Sequence, residues 1–197
     1  MKALVVYCHP NPQSFVATVR DTALAALTTS GHDVRLVDLY AEGFNPVMGM
    51  QERLDYHTAG TNERGIEGHL EHLRWCDALI FVYPTWWYGQ PAMLKGWLDR
   101  VWVPHATFTM PEGAEPIGGV LKNIRSIIAV STLGSPWWYW KVLMGEPGRR
   151  VLLRGLPILC GPKCKTQWIA MHKMDSATPK DRKAFLTRVK REISKLI

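Results

Sequence analysis

Apolar and polar positions along the chain follow two periods, one typical of buried strands and the other of amphipathic helices. Short apolar runs bounded by turn residues predict strands, and four of the runs are rich in aliphatic residues. Five segments are predicted as strands: residues 3–7, 33–39, 78–83, 126–130 and 156–160, the last with 168–171 as its candidate continuation.

Helical patterns fill most of the chain between these strands. Ser14 and Thr178 are residue types that cap helices, and Pro91 and Pro179 suit a first helical position. Residues 40–62 are polar and are predicted as a long loop. The predicted helices run from 14 to about 31, from 66 to 73, from 91 to 101, from the aromatic stretch after 130 to 153, and from 178 to 196.

This order of elements places helices between successive strands. Parallel strands need such crossover connections, and the crossovers are right-handed. We therefore expect an α/β fold in which a doubly wound parallel sheet carries helices on both faces. At 197 residues, with 47% hydrophobic and 21% charged residues, the chain is expected to form a single domain over residues 1–197.

The segment after Met1 has one lysine and an apolar run too short for a signal peptide. No stretch approaches the roughly 20 apolar residues that a membrane span needs. The chain is therefore expected to be cytoplasmic and not inserted in a membrane.

A net charge of +7 indicates anionic partners. The basic residues are dispersed, and the densest stretch, 180–195, alternates with apolar positions as on a solvated helix face. A phosphate-bearing cofactor or nicotinamide phosphate explains the positive net charge more simply than nucleic acid does. We expect no nucleic-acid binding.

The four cysteines are unevenly spaced at positions 8, 76, 160 and 164. This is a poor disulfide framework, so reduced thiols are expected. Cys160 and Cys164 are close in sequence, but a zinc site would need a second pair of cysteines or histidines nearby. We expect no metal site.

Ligands of doubly wound sheets bind beyond the carboxyl ends of the strands. The loop after the first strand contains His9 and leads into Ser14, where the positive end of a helix dipole favours an anion such as phosphate. Alternatively, Ser14 only caps the helix and His9 only satisfies a turn. The residues of this loop alone leave both interpretations open.

The loop after the third strand, residues 84–89, carries Trp86, Trp87 and Tyr88. A planar ring needs flat apolar walls and backbone hydrogen-bonding groups at its edge, and this loop could supply both to a flavin. The alternative is that the tryptophans fill a core or a subunit interface. Neither G-x-G-x-x-G nor G-x-x-x-x-G-K-[ST] occurs, so no competing nucleotide motif is present.

Three segments carry a family resemblance, and they cover roughly the first 140 residues. These segments are His9-x4-Ser14-Phe15, Asp38-Leu39-Tyr40 followed by Phe44-Asn45-Pro46, and Tyr83-Pro84-x-x-Trp87-Tyr88-Gly89-x-Pro91-Ala92-x-Leu94-Lys95-Gly96-Trp97-x-x-Arg100-Val101. They resemble the flavodoxin-like NAD(P)H:quinone reductase family, which includes the DT-diaphorase-type enzymes and the smaller bacterial quinone reductases. The third segment is long and highly specific.

The resemblance implies a flavodoxin-like five-stranded parallel sheet in the order 2-1-3-4-5, and a homodimer with its active site at the subunit boundary. It implies FAD, with FMN as the alternative, and hydride transfer from NADPH or NADH through the flavin N5 to a quinone-like acceptor. It also implies that Tyr139 is catalytic. The residues implied to contact the flavin are His9, Ser14, Phe15, Pro84, Thr85, Trp86, Trp87, Tyr88, Ser131, Thr132, Gly134 and Ser135.

Two departures from the family pattern bear on mechanism. The DT-diaphorase-type enzymes place a histidine six residues after the tyrosine, where this chain has Gly145, so their proton relay does not carry over. The loop 132–136 also lacks their double glycine. The alternative function is a flavin-bearing electron carrier or a regulatory subunit docked on a partner protein, although carriers of the flavodoxin kind are typically acidic.

Overall fold

The computed structural model describes residues 1–111 and 116–196. Within these residues the strands are β1 (Lys2–Tyr7), β2 (Asp33–Asp38), β3 (Ala78–Pro84), β4 (Phe108–Thr109), β5 (Gly118–Gly119), β6 (Ser126–Thr132) and β7 (Lys165–Met171). The main sheet has the order β2-β1-β3-β6-β7, and β4 and β5 form a separate antiparallel pair. All neighbours in the main sheet are parallel, which confirms the predicted order 2-1-3-4-5 for its five strands.

The helices in the described residues are α1 (Phe15–Thr29), α2 (Met50–Asp55), α3 (Glu67–Trp75), α4 (Ala92–Val101), α5 (Pro147–Arg150) and α6 (Pro179–Ile193). Single turns of 3-10 helix occur at Thr61–Glu63, Leu156–Leu159 and Met174–Ser176, and π-helical turns at Tyr139–Leu143 and Val151–Gly155. None of the helices described is both long and apolar enough to cross a bilayer.

The helices cover both faces of the sheet, as predicted. Alternate residues of β1 point to opposite faces. Leu4 and Val6 pack in a core with α3 and α4, whereas Val5 and Tyr7 pack in a second core with α1 and α6. Because β1 lies in the middle of the sheet and both faces are covered, nearly all its side chains are fully buried.

The prediction of a strand at 156–160 is wrong. Leu156–Leu159 forms a 3-10 turn, and the amide of Cys160 donates to the carbonyl oxygen of Pro157 at 3.1 Å. Pro157 has no amide hydrogen to give to a sheet, which disfavours an interior strand at this position. The fifth strand of the sheet is β7, which contains the candidate continuation 168–171.

Three other predictions are corrected in detail. The segment 40–62 contains the short helix α2, and Pro91 is the N-cap of α4 rather than its first helical residue. The helix predicted after β6 is interrupted at Gly145 and Glu146, whose φ angles are 69° and 57°. A left-handed conformation at two successive residues cannot continue a right-handed helix.

Candidate functional site

The loops that follow β1, β3 and β6 enclose a cleft at the carboxyl edge of the sheet. The cleft has two adjoining cavities of about 440 Å³ and about 220 Å³, which share Thr85, Trp87, Leu133 and Gly134. The larger is also lined by His9, Ser14, Phe15, Val16, Pro84, Trp86, Thr132, Met174 and Asp175, and the smaller by Tyr88 and Ser135. The cleft therefore brings together, from separate loops, eleven of the twelve residues predicted to contact a flavin.

The start of α1 forms one end of the larger cavity. Ser14 is the N-cap, and its Oγ accepts a hydrogen bond from the amide of Ala17 at 3.1 Å. This bond uses a lone pair, so the hydroxyl hydrogen of Ser14 can still be donated. The amides of Phe15 and Val16 have no acceptor inside the helix, and the helix dipole adds partial positive charge. This end of the cleft is suited to an anion.

His9 lies at the same end and is a neutral donor at neutral pH. Its Nδ1 lies 3.0 Å from the amide of Asn11, which can only donate, so we place the ring proton on Nε2. The Asn11 carbonyl oxygen lies 3.2 Å from the same nitrogen. Burial lowers the pKa of His9, although the nearby carbonyl oxygen of Asn11 acts in the opposite direction, because it favours the protonated ring.

A strained turn forms the wall between the two cavities. The amide of Trp86 donates to the carbonyl oxygen of Gly89 at 3.2 Å, and the amide of Gly89 donates back at 3.0 Å. Trp87 and Tyr88 are the two central residues, with φ of 47° and 64°. Two-residue turns of this kind normally take Asn and Gly, because a left-handed conformation costs other residues about 1–2 kcal/mol each.

The same turn has two backbone donors that no acceptor of the described residues uses. Within the described residues, the amides of Trp87 and Tyr88 donate no hydrogen bond. The indole of Trp87 is 95% exposed and that of Trp86 is 44% exposed, so neither fills the core. Strain kept at residues that line a cavity points to a binding role for the turn.

Two of the predicted residues lie outside the cavity walls. Ser131 is buried below the cleft, where its hydroxyl is hydrogen-bonded to that of Thr85. Tyr139 lies behind Tyr88, with the two ring centroids 6.0 Å apart. A hydrogen bond with Tyr139 raises the pKa of the Tyr88 phenol. The predicted roles of Ser131 and Tyr139 toward a flavin stay predictions.

Sequence reasoning missed four residues of the cleft: Val16, Leu133, Met174 and Asp175. Asp175 is the one with charge, and a Cβ atom on Gly134 would lie only 2.3 Å from its Oδ2. Gly134 therefore leaves room for the carboxylate. The signal for Asp175 is its position just beyond the carboxyl end of β7, which a correct assignment of the fifth strand reveals.

A larger cavity of about 510 Å³ lies next to the cleft, between the end of β7 and α6. Its walls include His172, Lys173 and Arg188, but none of the loops that follow β1, β3 and β6. Segment 173–176 separates the two spaces, since it contributes residues to both. Across the described ranges, no group of three or more His, Cys, Asp or Glu residues could hold a metal ion.

Comparisons with known proteins agree with this architecture. A family model for the flavodoxin-like fold matches residues 1–196. An uncharacterized NAD(P)H oxidoreductase of Haemophilus influenzae is 33% identical over 163 residues, which cover 82% of this chain and 79% of that protein. The ribosyldihydronicotinamide dehydrogenase (quinone) of Pongo abelii is 30% identical over 159 residues, covering 71% and 67%.

A ribosyldihydronicotinamide dehydrogenase-like protein of Penicillium crustosum is 38% identical over 119 residues, and the match covers 52% of this chain but only 44% of that relative. A crystal structure of a Streptococcus mutans protein superposes with a TM-score of 0.84 at 28% identity, with both chains fully covered. The chain belongs to the flavodoxin-like NAD(P)H:quinone reductase family.

Proposed function

We propose that this chain is a flavin-dependent oxidoreductase that takes a hydride from NADPH or NADH and delivers it to a quinone-like acceptor. The observation that carries the proposal is the strained turn at Trp87 and Tyr88, whose residues line the cleft and whose backbone amides donate no hydrogen bond within the described residues. The names of the Haemophilus and Pongo relatives supply the reaction class.

The residues of the cleft fit a flavin. Ser14, His9 and the first amides of α1 suit its phosphate, and the adjoining aromatic turn suits its ring. We propose FAD, with FMN as the alternative, because the cavity with Lys173 and Arg188 next to the cleft gives room for a second nucleotide half with phosphates. Bound flavin supplies the two-electron chemistry that no side chain of the site can supply.

The chain's own groups then bind and orient the flavin, and they hold the protons of the reaction. Backbone amides of Trp87 and Tyr88 stabilise negative charge at the polar edge of the ring, and they need no reorganisation because the turn holds them in place. Tyr139 is the proposed catalytic residue, and its ring lies beside that of Tyr88. Since Gly145 replaces the family histidine, we assign proton transfer to this tyrosine pair and water.

We also propose a homodimer with the cleft at its boundary. The segment after β6 exposes Trp137, Trp138, Val142 and Leu143, each more than half accessible, and Trp87 is exposed nearby at the cleft. Contiguous exposed apolar side chains of this kind mark association surfaces in proteins that are otherwise soluble. Sedimentation velocity of the purified chain is expected to give a dimer, and a monomer at micromolar concentration would contradict this part of the proposal.

The test begins with the absorbance spectrum of the purified chain and with chromatography of the cofactor released on denaturation. We expect oxidised flavin bands and FAD, followed by rapid reduction of a soluble benzoquinone with NADPH or NADH alone. Failure to bind added FAD and FMN would overturn the proposal. Bound flavin that turns over only with an added reductase would favour the electron-carrier alternative instead.

A further inference from the structure

A basic cavity of about 380 Å³ lies at the opposite edge of the sheet from the cleft. It lies at the amino ends of β6 and β7, where Arg125 directly precedes β6 and Lys165 is the first residue of β7. Lys122 and Lys163 add two more charges to its wall. Arg125 has a carboxylate partner, Asp77 at 3.6 Å, and the three lysines form no ion pair within the described residues. The cavity is therefore cationic.

Cys164 lines this cavity and is half-buried, whereas Cys160, four residues earlier, is buried beneath it. A tight turn joins them, because the amide of Cys164 donates to the carbonyl oxygen of Gly161 at 3.0 Å. The amide of Gly161 is in turn fixed to the carbonyl oxygen of Ile124 at 3.2 Å. This anchored turn folds the chain back between the two cysteines, and their thiols are close enough for each to shift the pKa of the other.

The two thiols differ in exposure and in pKa. The neighbouring Cys160 side chain lowers the pKa of Cys164, against the opposing effect of burial, and the same interaction, together with burial, raises the pKa of Cys160. The Cys160 thiol itself donates to the carbonyl oxygen of Leu156 at 3.4 Å. The thiolate is the form that attacks a disulfide. Cys164 is thus the accessible nucleophile, and Cys160 is placed to react second.

We propose that Cys160 and Cys164 are a redox-active dithiol that reduces an anionic low-molecular-weight disulfide bound in the basic cavity. The Cys164 thiolate attacks one sulfur of the substrate, forms a mixed disulfide and expels the first thiolate. Cys160 then loses its proton and attacks the Cys164 sulfur, which forms the Cys160–Cys164 disulfide and expels the second thiolate. Two protein thiols and one small disulfide become one protein disulfide and two small thiols.

The cationic wall is the reason for naming an anionic substrate. Lys122, Arg125, Lys163 and Lys165 line the same cavity as the half-buried Cys164 thiol, so a disulfide with carboxylates is attracted to the place where its sulfur is attacked. A metal is a weaker explanation of the pair, since structural zinc needs four ligands and the described residues provide no cluster of three. This site is separate from the flavin cleft and does not depend on the proposed function.

The test uses the full chain and glutathione disulfide as the probe, followed by alkylation of remaining thiols and digestion with trypsin without reductant. Cleavage after Lys163 separates the two cysteines, so an internal disulfide appears as two peptides that stay linked until reductant is added. We expect this linked pair in the native chain, a stable glutathione adduct on Cys164 in Cys160→Ser, and no adduct at residue 160 in Cys164→Ser. Both cysteines fully alkylated in the native chain would overturn the proposal.

Recognition of the negative charge by the basic cavity is tested with a charged and a neutral disulfide. Glutathione disulfide is expected to react roughly tenfold more slowly with the double variant Lys122→Gln and Arg125→Gln than with the native chain. The neutral probe hydroxyethyl disulfide should react with both at similar rates, and Lys183→Gln, which removes a charge from exposed α6, should change neither rate. An equal slowing of both probes by the double variant would contradict recognition of an anion.

Discussion

The hydroxyl groups of Thr85 and Ser131 lie 2.8 Å apart beneath the floor of the cleft, and both side chains are buried. The bond joins the ends of β3 and β6, where Tyr83 is paired with Ser131 in the sheet. Thr85 begins the loop that carries the strained turn, and its amide also donates to the carbonyl oxygen of Thr132 at 2.8 Å. The departure of this loop from the sheet is thus fixed by two bonds to β6.

Ser131→Ala is expected to lower the free energy of unfolding by about 1–3 kcal/mol, because it leaves the buried hydroxyl of Thr85 without this partner. Urea denaturation measures the change. The matched control is Ser126→Ala at the other end of β6, where the residue is buried but its hydroxyl makes no hydrogen bond in the residues described and is not fully enclosed. Equal losses in the two variants would show that the hydroxyl pair contributes nothing specific.

Ser14→Ala is expected to have two effects. Loss of the cap on the Ala17 amide lowers the free energy of unfolding by about 1 kcal/mol. Loss of a hydroxyl donor to a phosphate raises the dissociation constant of the flavin by about tenfold, as removal of a hydrogen bond to a charged group does. Titration of flavin fluorescence measures the second effect.

Thr178→Ala separates these effects, because Thr178 caps α6 in the same way through the amide of Asp181. We expect a similar loss of stability and an unchanged dissociation constant for flavin. If both cap variants weaken flavin binding equally, Ser14 has only the structural role of a helix cap.

The strain at Trp87 predicts a reversal in the usual ranking of alanine and glycine. At φ 47°, Trp87→Gly should be more stable than Trp87→Ala by about 1 kcal/mol, since glycine adopts the left-handed conformation without steric conflict. At Trp138, which is exposed with φ −64° and ψ −41°, the alanine variant should be the more stable by about 1 kcal/mol. Thermal or urea unfolding of the four variants measures which residue, alanine or glycine, gives the more stable protein at each position. If the alanine variant is the more stable at both positions, the turn is not strained.

The sequence was sufficient for the parts of this protein that local patterns encode. Apolar runs located four strands of the main sheet, and Ser14 and Thr178 are the caps they were predicted to be. The fifth strand was predicted at 156–160, and only its candidate continuation, 168–171, lies in β7, because Leu156–Cys160 is apolar and strand-like in composition while Pro157 and its neighbours form a 3-10 turn. Periodicity does not distinguish these states over five residues.

The same error hid one residue of the cleft. Asp175 follows β7, so it lies at the carboxyl edge only once the fifth strand is placed at Lys165–Met171. The left-handed pair at Trp87 and Tyr88 was also beyond sequence reasoning, since both residues normally avoid that conformation. Only tertiary context holds such residues in place, and that context is what the cleft provides.

Acid is expected to destabilise the fold through its partly buried histidines. Burial lowers the pKa of His69, as do the nearby charges of His72 and Arg100. Its pKa in the folded state is therefore below the value of about 6.5 in the unfolded chain. Above pH 6.5 the contribution of His69 to stability is intact, and it is lost as the pH falls toward the folded pKa, because only the unfolded state takes up the proton. Burial also lowers the pKa of the following histidines: His9, His32 and His172.

His69→Phe should therefore flatten the fall in unfolding free energy between pH 7 and pH 5 by up to about 1.4 kcal/mol per pH unit. The ring it replaces packs edge-on to Phe44 at 5.1 Å, so an apolar aromatic suits the position. Leu70→Val, at the next residue of α3, should lower the whole curve without changing its slope. An unchanged slope in His69→Phe would show that this imidazole is protonated equally in both states.

Gly96 is held against the segment 45–52 by close backbone contact. A Cβ atom at this position would lie 2.2 Å from the carbonyl oxygen of Pro46 and 2.6 Å from its Cα. The segment cannot easily move away, because the guanidinium of Arg100 is paired with Glu52 at 2.7 Å and also donates to the Asn45 carbonyl. The glycine of the Lys95-Gly96-Trp97 sequence is therefore required by its packing against Pro46.

Gly96→Ala is expected to lower the free energy of unfolding by about 1–3 kcal/mol, the usual effect of an added group in a filled site. Gly68→Ala in α3 is its control, since no atom lies within 4 Å of a Cβ there and alanine favours a helix by up to about 1 kcal/mol. The two variants make the same chemical change in two helices and should move the urea midpoint in opposite directions. A shift in the same direction would mean that α4 and Pro46 separate more readily than their contact distance implies.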